Sequence, residues 1–390
     1  MKSVGIIVEY NPFHNGHKYH LKKAKEYGDI VIAVMSGNFV QRGEPACINK
    51  WARAEMALRE GVDIIVELPV FYSCQSAEIF ARGGVGILDH LGVQNIIFGS
   101  ESNDMEKLKK IIEIENNEDF KERLQKNLKS GDSYPTAYNK EVEYFLGKDF
   151  IVKSNDILGI EYLRATKFWK SKIEPIVIKR KNVDYHSDET MEDIASASGI
   201  RKMVKEKNKI EDIEKYLSEN SKDIFFKEIS LEKITDISKF YFLIRYSILM
   251  GKENIKDIQD VEEGYENRLY EAALICENYK DFMEKIMTKR YTIGRVQRIL
   301  IHILLGITKK LTEKVKQEIP YIKVLGFSEN GRKYLKSLNK ENSVKIITAN
   351  KNIKKIFSDK ERELFEINEK AGKIYGIINP YEERKIPIIY

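Results

Sequence analysis

The chain has 390 residues, with 66 Lys and Arg against 60 Asp and Glu. A length of this order fits two or three domains, each with a sizeable core. No apolar stretch reaches the roughly 18 residues of a membrane span, the longest candidate at 299–307 is interrupted by His302, and the chain opens directly on a strand, so neither a span nor a signal peptide is expected. Three cysteines, Cys47, Cys74 and Cys276, lie far apart without metal-ligand spacing. An odd count without an export signal points to reduced thiols and a cytoplasmic protein; no residue is singled out as a metal ligand, and whether protein residues hold a metal ion stays open.

The first element is a buried strand, Val4-Gly5-Ile6-Ile7-Val8-Glu9, that runs through Tyr10-Asn11-Pro12-Phe13 into His14-Asn15-Gly16-His17 and then a basic helix over 18–25. A β-branched run bounded by Asn-Pro predicts a parallel strand that ends in a turn. The free N–H groups and positive dipole end of the following helix suit a phosphate, and Gly16, lacking a Cβ, lets a ligand approach the backbone. His14 and His17, three residues apart, face the same ligand and can donate N–H groups to phosphate oxygens as charge builds up in displacement at phosphorus. Strands follow at 29–36, 63–68 and 95–98, with helices near 50–60 and 76–91 between them. This alternation predicts a parallel sheet with right-handed crossovers and ligands beyond its C-terminal edge. The His14 turn, the Ser36-Gly37-Asn38 loop and Gly99 fall at that edge.

The His-Asn-Gly-His string resembles the His-Ile-Gly-His motif of the nucleotidylyltransferase and class I aminoacyl-tRNA synthetase superfamily. The fuller strings GIIVEYNPFHNGHKYHL and MSGNFVQRGEPACINKWARAEMAL are similar to the bacterial tRNA(Met) cytidine acetate ligases over almost the whole chain. The resemblance implies a Rossmann-like α/β domain over residues 1–201 with a helical insertion near 104–147, followed by a mainly helical tRNA-binding domain over 202–390. It also implies activation of acetate by ATP, supplied as Mg-ATP, to acetyl-adenylate, and transfer of the acetyl group to N4 of the wobble cytidine of elongator tRNA(Met). His14 and His17 are the implied catalytic residues. The implied ATP contacts are Ile7, Val8, Glu9, Tyr10, Asn11, Pro12, Phe13, His14, Asn15, Gly16, His17, Lys18, Tyr19 and His20, with Gly99, Asn155 and Arg180. No protein partner is evident.

Further along, Asn155 or Asp156 can cap an amphipathic helix, although an amide also suits reading of nucleotide edges. A strand at 174–178 ends in Lys179-Arg180-Lys181, which puts a guanidinium at the ligand edge, where Arg suits forked contact with phosphate. Residues 195–201, Ala-Ser-Ala-Ser-Gly-Ile-Arg, resemble the superfamily's Ile-Ser-Ser-Thr-x-Ile-Arg, whose hydroxyls and arginine hold the departing pyrophosphate. Here Ala197 replaces one hydroxyl, leaving Ser196, Ser198 and Arg201, and an ordinary N-cap serine is the alternative. Lys50 and Arg53 can hold acetate or triphosphate; equally, Trp51 reads as a packed aromatic and Arg53 as a partner of Glu55 or another acid. Glu9 and Glu67 read as buried acids with structural partners.

Charge is uneven along the chain. Residues 1–200 hold 27 Lys and Arg against 30 Asp and Glu, which leaves 39 against 30 for the remainder. Between Glu284 and Glu313 there is no acid, while Lys285, Lys289, Arg290, Arg295, Arg298, Lys309 and Lys310 fall inside that window. The pattern predicts helices over 210–218, 231–250, 265–279 and 295–305. On the last of these, Arg295, Arg298 and His302 share a face expected to meet RNA phosphates, and Tyr291 is expected to stack on an unpaired base. Residues 324–327 and 344–348 predict a short α/β element near the end. Two other functions remain open from sequence: a small-molecule adenylyltransferase acting on a phosphorylated acceptor, and a non-catalytic RNA-binding protein.

Overall fold

The computed structural model describes residues 1–150, 152–179, 194–206, 210–289, 291–338, 344–349 and 353–390, apart from the side chains of residues 154, 210 and 354. Arg180 lies outside the described residues. The strands are β1 (Ser3–Val8), β2 (Ile30–Ser36), β3 (Phe39–Val40), β4 (Glu44–Pro45), β5 (Ile64–Leu68), β6 (Asn95–Ser100), β7 (Glu174–Lys179), β8 (Tyr321–Phe327), β9 (Lys345–Ile347) and β10 (Ile388–Ile389). The main sheet runs β10-β8-β5-β2-β1-β6-β7, with β9 also on β8, while β3 and β4 form a separate hairpin. β1, β2, β5, β6 and β7 are parallel, as their alternation with helices requires.

Period-2 alternation divides the strand side chains between two faces. Val4, Ile6, Val31 and Ala33 pack against Leu21 and Ala24 of α1 (Asn15–Ala24) and Met56, Ala57 and Leu58 of α2 (Lys50–Arg59). Ile30, Ile32, Val34, Ile64 and Val66 face the other way, onto Val85, Ile87 and Leu88 of α3 (Ala77–His90). Three helices, α4 (Met105–Ile114), α5 (Glu118–Lys129) and α6 (Tyr134–Leu146), make up the stretch expected to be a helical insertion. They precede α7 (Ser154–Phe168) and α8 (Ala197–Lys205).

The later part of the chain departs from its sequence pattern in two ways. First, the short α/β element near the end is part of the main sheet: β8 pairs antiparallel with β5, from Ile64 opposite Phe327 to Glu67 opposite Lys323. Strands more than 250 residues apart in sequence carry no local signal of their pairing. Second, the helix expected to meet RNA is an internal seam. That helix, α9 (Ile293–Leu305), buries His302 completely, with Nε2 2.7 Å from the carbonyl of Cys74 and Nδ1 3.3 Å from that of Gln259. Burial keeps the His302 ring below the ordinary histidine pKa.

Arg298 pairs with Asp260 at 3.3 Å and Arg295 with Glu262 at 2.7 Å. Tyr291 stacks on Tyr265, ring centroids 4.2 Å apart and 10° from parallel. Arg295 and Arg298 therefore draw their counter-charges from residues 260–262, about 35 positions upstream. A final helix, α10 (Asp359–Ile378), opens with a capping box of Ser358 and Glu361. Among the described residues, no helix is long and apolar enough to cross a membrane.

Candidate active site

β1 lies between β2 and β6, and the chain leaves it toward β2 before returning to its other side through β6. This is the switch point at which open parallel sheets bind ligands. The loop that leaves β1 is tightly held. Tyr10 adopts φ 51°, in the left-handed region, and the Asn11-Pro12 peptide is cis. Phe13 is fully buried, Asn11 Oδ1 accepts from the N–H of Cys47 at 2.7 Å, and the chain enters α1 at His14.

His14 is the N-cap of α1, and its Nδ1 accepts the N–H of Gly16 at 3.0 Å. With Nδ1 accepting, the neutral ring carries its proton on Nε2, so His14 is a donor at its outer nitrogen. The His17 ring stands 3.9 Å from that of His14, centroid to centroid. Tyr10 meets His17 edge-on at 5.0 Å and Phe13 at 5.7 Å, so two buried aromatics fix its orientation. Gly16 has a geometric reason: a Cβ there would lie 2.8 Å from His14 Cε1.

The other residues of the 7–20 segment divide by where they point. Ile7 packs toward α3 at Gly84, while Val8, Tyr10, Pro12 and Phe13 are buried, the Tyr10 and Phe13 rings against His17. His20 Nε2 lies 3.2 Å from the carbonyl of Ile97, which ties α1 to β6, and Tyr19 is half-buried. Asn15 donates to the carbonyl of Lys215 at 2.9 Å, and Lys18 to Ser218 Oγ at 3.1 Å. These two reach the outer flank of α1, beside an open crevice of about 480 Å³ whose walls include Glu211, Glu214 and Glu219. Lys18 and Lys215 line it as well, so the charge of that crevice is mixed.

At the end of β6, Gly99 sits opposite Ile178 of β7, and Ser100 is buried. Asn155 donates its amide to Glu101, whose other oxygen accepts the N–H groups of Asn155 and Asp156 at 3.2 and 3.1 Å. Neither Asn155 nor Asp156 is the N-cap expected from sequence: α7 starts at Ser154, and Asp156 instead accepts from Ser100 Oγ and from the N–H of Glu101. Asn155 therefore stands at the C-terminal edge of the sheet beside Gly99.

Arg201 does reach the His14 loop. Its Nη1 donates to the carbonyl of Asn11 at 2.9 Å and its Nη2 to Glu44 Oε2 at 3.3 Å. Ser196 caps α8 through the N–H of Gly199 at 3.1 Å, with Ser198 Oγ 3.0 Å from Ser196 Oγ, and both serines are exposed. Glu9, half-buried at the end of β1, accepts the N–H of Gln41 at 2.9 Å. Burial raises its carboxyl above the ordinary range, while that N–H and the charges of Arg201, Arg42 and Arg53 pull it back down.

Lys50 and Arg53 take no part as exposed ligand groups. Arg53 is fully buried and does not pair with Glu55; its fork donates to the carbonyls of Ile48 (3.2 Å), Glu9 (2.6 Å), Ser36 (3.0 Å) and Gly37. It clamps the C-terminal ends of β1 and β2 together. Lys50, also buried, bonds both oxygens of Glu67 at 3.1 and 3.2 Å and lies 3.2 Å from Glu383. Lys323 joins this network through Glu383 at 3.3 Å and Glu67 at 3.7 Å, and adds Glu369 at 2.7 Å. Trp51 is packed, 6% exposed. Sequence offered no sign of Glu101, Glu369 or Glu383, because each meets its partner only across a chain separation that folding closes.

A parallel sheet that ends in a His-x-Gly-His turn at its switch point defines a nucleotide-binding α/β protein. The chain belongs to the HIGH Nucleotidyl Transferase family, whose model matches residues 1–386. It is 46% identical to the tRNA(Met) cytidine acetate ligase of Fusobacterium nucleatum subsp. nucleatum, covering 99% of this chain and 98% of that one. It is 43% identical to the protein of the same name from Caldicellulosiruptor saccharolyticus over 89% and 87% of the two chains. A crystal structure of Thermotoga maritima TmcAL bound with alpha-thio ATP superposes with a TM-score of 0.90 at 35% identity, over 100% of this chain and 99% of that one.

Proposed function

We propose that this protein is an ATP-dependent ligase that activates acetate as acetyl-adenylate and then acetylates N4 of the wobble cytidine of elongator tRNA(Met). The observation that carries the reading is the paired His14 and His17 rings, 3.9 Å apart on the first turn of a helix at the β1/β6 switch point. That is where α-phosphate chemistry needs donors. The names of the relatives, and the ATP analogue in the Thermotoga structure, support the choice of substrates.

An acetate oxygen attacks the α-phosphorus of ATP, the bond to the β-phosphate oxygen breaks, and pyrophosphate leaves. The Nε2–H of His14 and the ring of His17 stabilise the negative charge that accumulates on the phosphate oxygens. The cytidine N4 amine then attacks the acetyl carbon and AMP departs with the bonding pair, while N4 loses a proton. Holding amine and mixed anhydride together supplies much of the second step's rate, and the wobble base lies in a single-stranded loop where it is accessible.

ATP contacts come from the backbone and polar groups of residues 7–20, from Gly99 and Asn155, and from Arg180, the next residue in sequence after Lys179. Arg201, Ser196 and Ser198 hold the departing pyrophosphate. Residues 1–201 carry the activation step, and residues 202–390, with their basic excess, bind tRNA. The test is pyrophosphate release with ATP plus acetate, and separately with ATP plus phosphorylated acceptors, followed by transfer of labelled acetate to tRNA(Met). Release with a phosphorylated acceptor and none with acetate would replace the ligase by a small-molecule adenylyltransferase.

A further inference from the structure

The β3–β4 hairpin lies between the His14 loop and α9, and it carries a carboxylate, Glu44, that the proposed chemistry does not use. Glu44 pairs with Val40 in the hairpin register. Its Oε2 accepts Arg201 Nη2 at 3.3 Å, and its Oε1 lies 3.4 Å from Nε2 of Gln297 on α9. The other end of the Arg201 fork is on the carbonyl of Asn11, three residues before His14. One carboxylate therefore connects α8, the His14 loop and the helical part of the chain.

The position of Glu44 is set by backbone on both sides. At the hairpin tip Gly43 has φ +78°, and a Cβ there would come within 2.2 Å of the Arg298 N and 2.4 Å of the Gln297 carbonyl carbon. The tip thus rests directly on the backbone of α9. At its base Ala46 N–H donates to the carbonyl of Asn38 at 2.9 Å, and in the turn Gln41 N–H donates to Glu9 at 2.9 Å. The carboxylate is presented from a frame that cannot slide.

The Arg201–Glu44 pair is more than a quarter exposed on each side, at 28% and 29%, and pairs so exposed add little to folding stability. What the pair does is remove the rotational freedom of a long side chain before a ligand arrives. An arginine already held in place loses less entropy when it meets a phosphate, which raises affinity without any new contact.

We propose that Glu44 is a positioning residue for adenylation: it holds the Arg201 fork against the loop that carries His14, so that Arg201 is set for the β- and γ-phosphates of ATP. The inference rests on the reading of Arg201 as a pyrophosphate-holding residue. It adds that the orientation of Arg201 is imposed by a hairpin seated on α9, so the helical part of the chain fixes the geometry of the activation step.

The experiment is a double-mutant cycle read by acetate-dependent ATP–pyrophosphate exchange at varied ATP, with Glu44→Gln, Glu44→Ala, Arg201→Ala and the Glu44→Ala/Arg201→Ala pair. Glu44→Ala should raise the KM for ATP by about tenfold while changing kcat by less than about threefold, as expected for lost preorganisation. Glu44→Gln, which keeps an acceptor oxygen and the hairpin's shape, should fall between wild type and Glu44→Ala. In the Arg201→Ala background, Glu44→Ala should add nothing. Two results would overturn the proposal: a lowered KM in Glu44→Gln, meaning that the carboxylate only neutralises Arg201, or effects of the two single variants that multiply. An unchanged KM in Arg201→Ala alone would remove the pyrophosphate reading and Glu44's role with it, and the single variant identifies that failure by itself.

Discussion

Replacing Arg53 by Lys keeps a positive charge in the same fully buried place and changes only the shape of the donor. The guanidinium reaches four carbonyls, those of Ile48, Glu9, Ser36 and Gly37, which belong to three separate stretches of backbone. An ammonium has three N–H groups on one nitrogen and cannot reach Ile48 on one side and Glu9 and Gly37 on the other. One or two buried carbonyls are left without a donor, at about 1–3 kcal/mol each. Arg53→Lys should therefore destabilise the protein by about 2–4 kcal/mol, read from urea midpoints at constant m. Because Glu9 and Gly37 end β1 and β2, acetate-dependent pyrophosphate release by the folded fraction should fall as well. The reverse pattern would refute this account: stability within about 0.5 kcal/mol of wild type together with a raised KM for acetate would make Arg53 a substrate ligand rather than a clamp.

His14→Ala and His17→Ala should each cut acetate-dependent pyrophosphate formation by about 10²-fold or more, the scale for loss of a transition-state donor, with the circular dichroism spectrum retained; an unaltered rate in His17→Ala would remove that ring from the chemistry. Gly16→Ala places a methyl 2.8 Å from His14 Cε1 and should lower kcat in the same assay by turning the ring off its axis, whereas full activity would mean that the His14 orientation is unimportant. Lys50→Met leaves buried Glu67 with only Lys323, 3.7 Å away, and should cost about 2–4 kcal/mol of stability by urea titration, less than for a wholly unpaired buried charge; the Lys50→Met/Glu67→Leu pair should recover a good part of it. Burial pushes the Glu161 carboxyl up to about 7, against the pull of Arg164. Because the folded chain keeps this proton where the unfolded chain has released it, the contribution is present in full below about pH 4.5 and lost as pH rises through about 7. Urea midpoints of wild type and Glu161→Gln across pH 4.5–7.5 should diverge over that window, and parallel profiles would count against the buried carboxyl.

Where chemistry is local, it was legible in the chain. The strand, the Asn-Pro turn and the three-residue spacing of His14 and His17 lie within ten to fifteen residues, so backbone geometry alone brings the two rings together. The alternation of strands and helices through residue 100 likewise appears in β1, β2, β5 and β6, because burial on both faces of a parallel strand leaves an apolar run that composition reveals. The superfamily-like segment ending in Arg201 was recognisable by its residues, but its destination at the carbonyl of Asn11 was not.

What periodicity could not supply was the identity of a neighbour. Arg295, Arg298 and His302 do share a helical face, as their spacing requires, yet that face meets Asp260, Glu262 and the carbonyl of Cys74, and it stays open to solvent only around the Arg295–Glu262 pair. Spacing fixes which residues of a helix lie together; it says nothing about what lies opposite them, since that depends on contacts between segments tens to hundreds of positions apart. For the same reason Arg53 read as a possible anion ligand and proved to be a clamp on four carbonyls, and β8 read as part of a terminal element and proved to be the antiparallel neighbour of β5. The sequence by itself determined the nucleotide-binding turn and the class of sheet that carries it. Only the tertiary structure decided which charges face the ligand and which are spent on one another, because a charged group in a fold takes its role from the nearest opposite charge or carbonyl, and proximity across the chain is a product of folding.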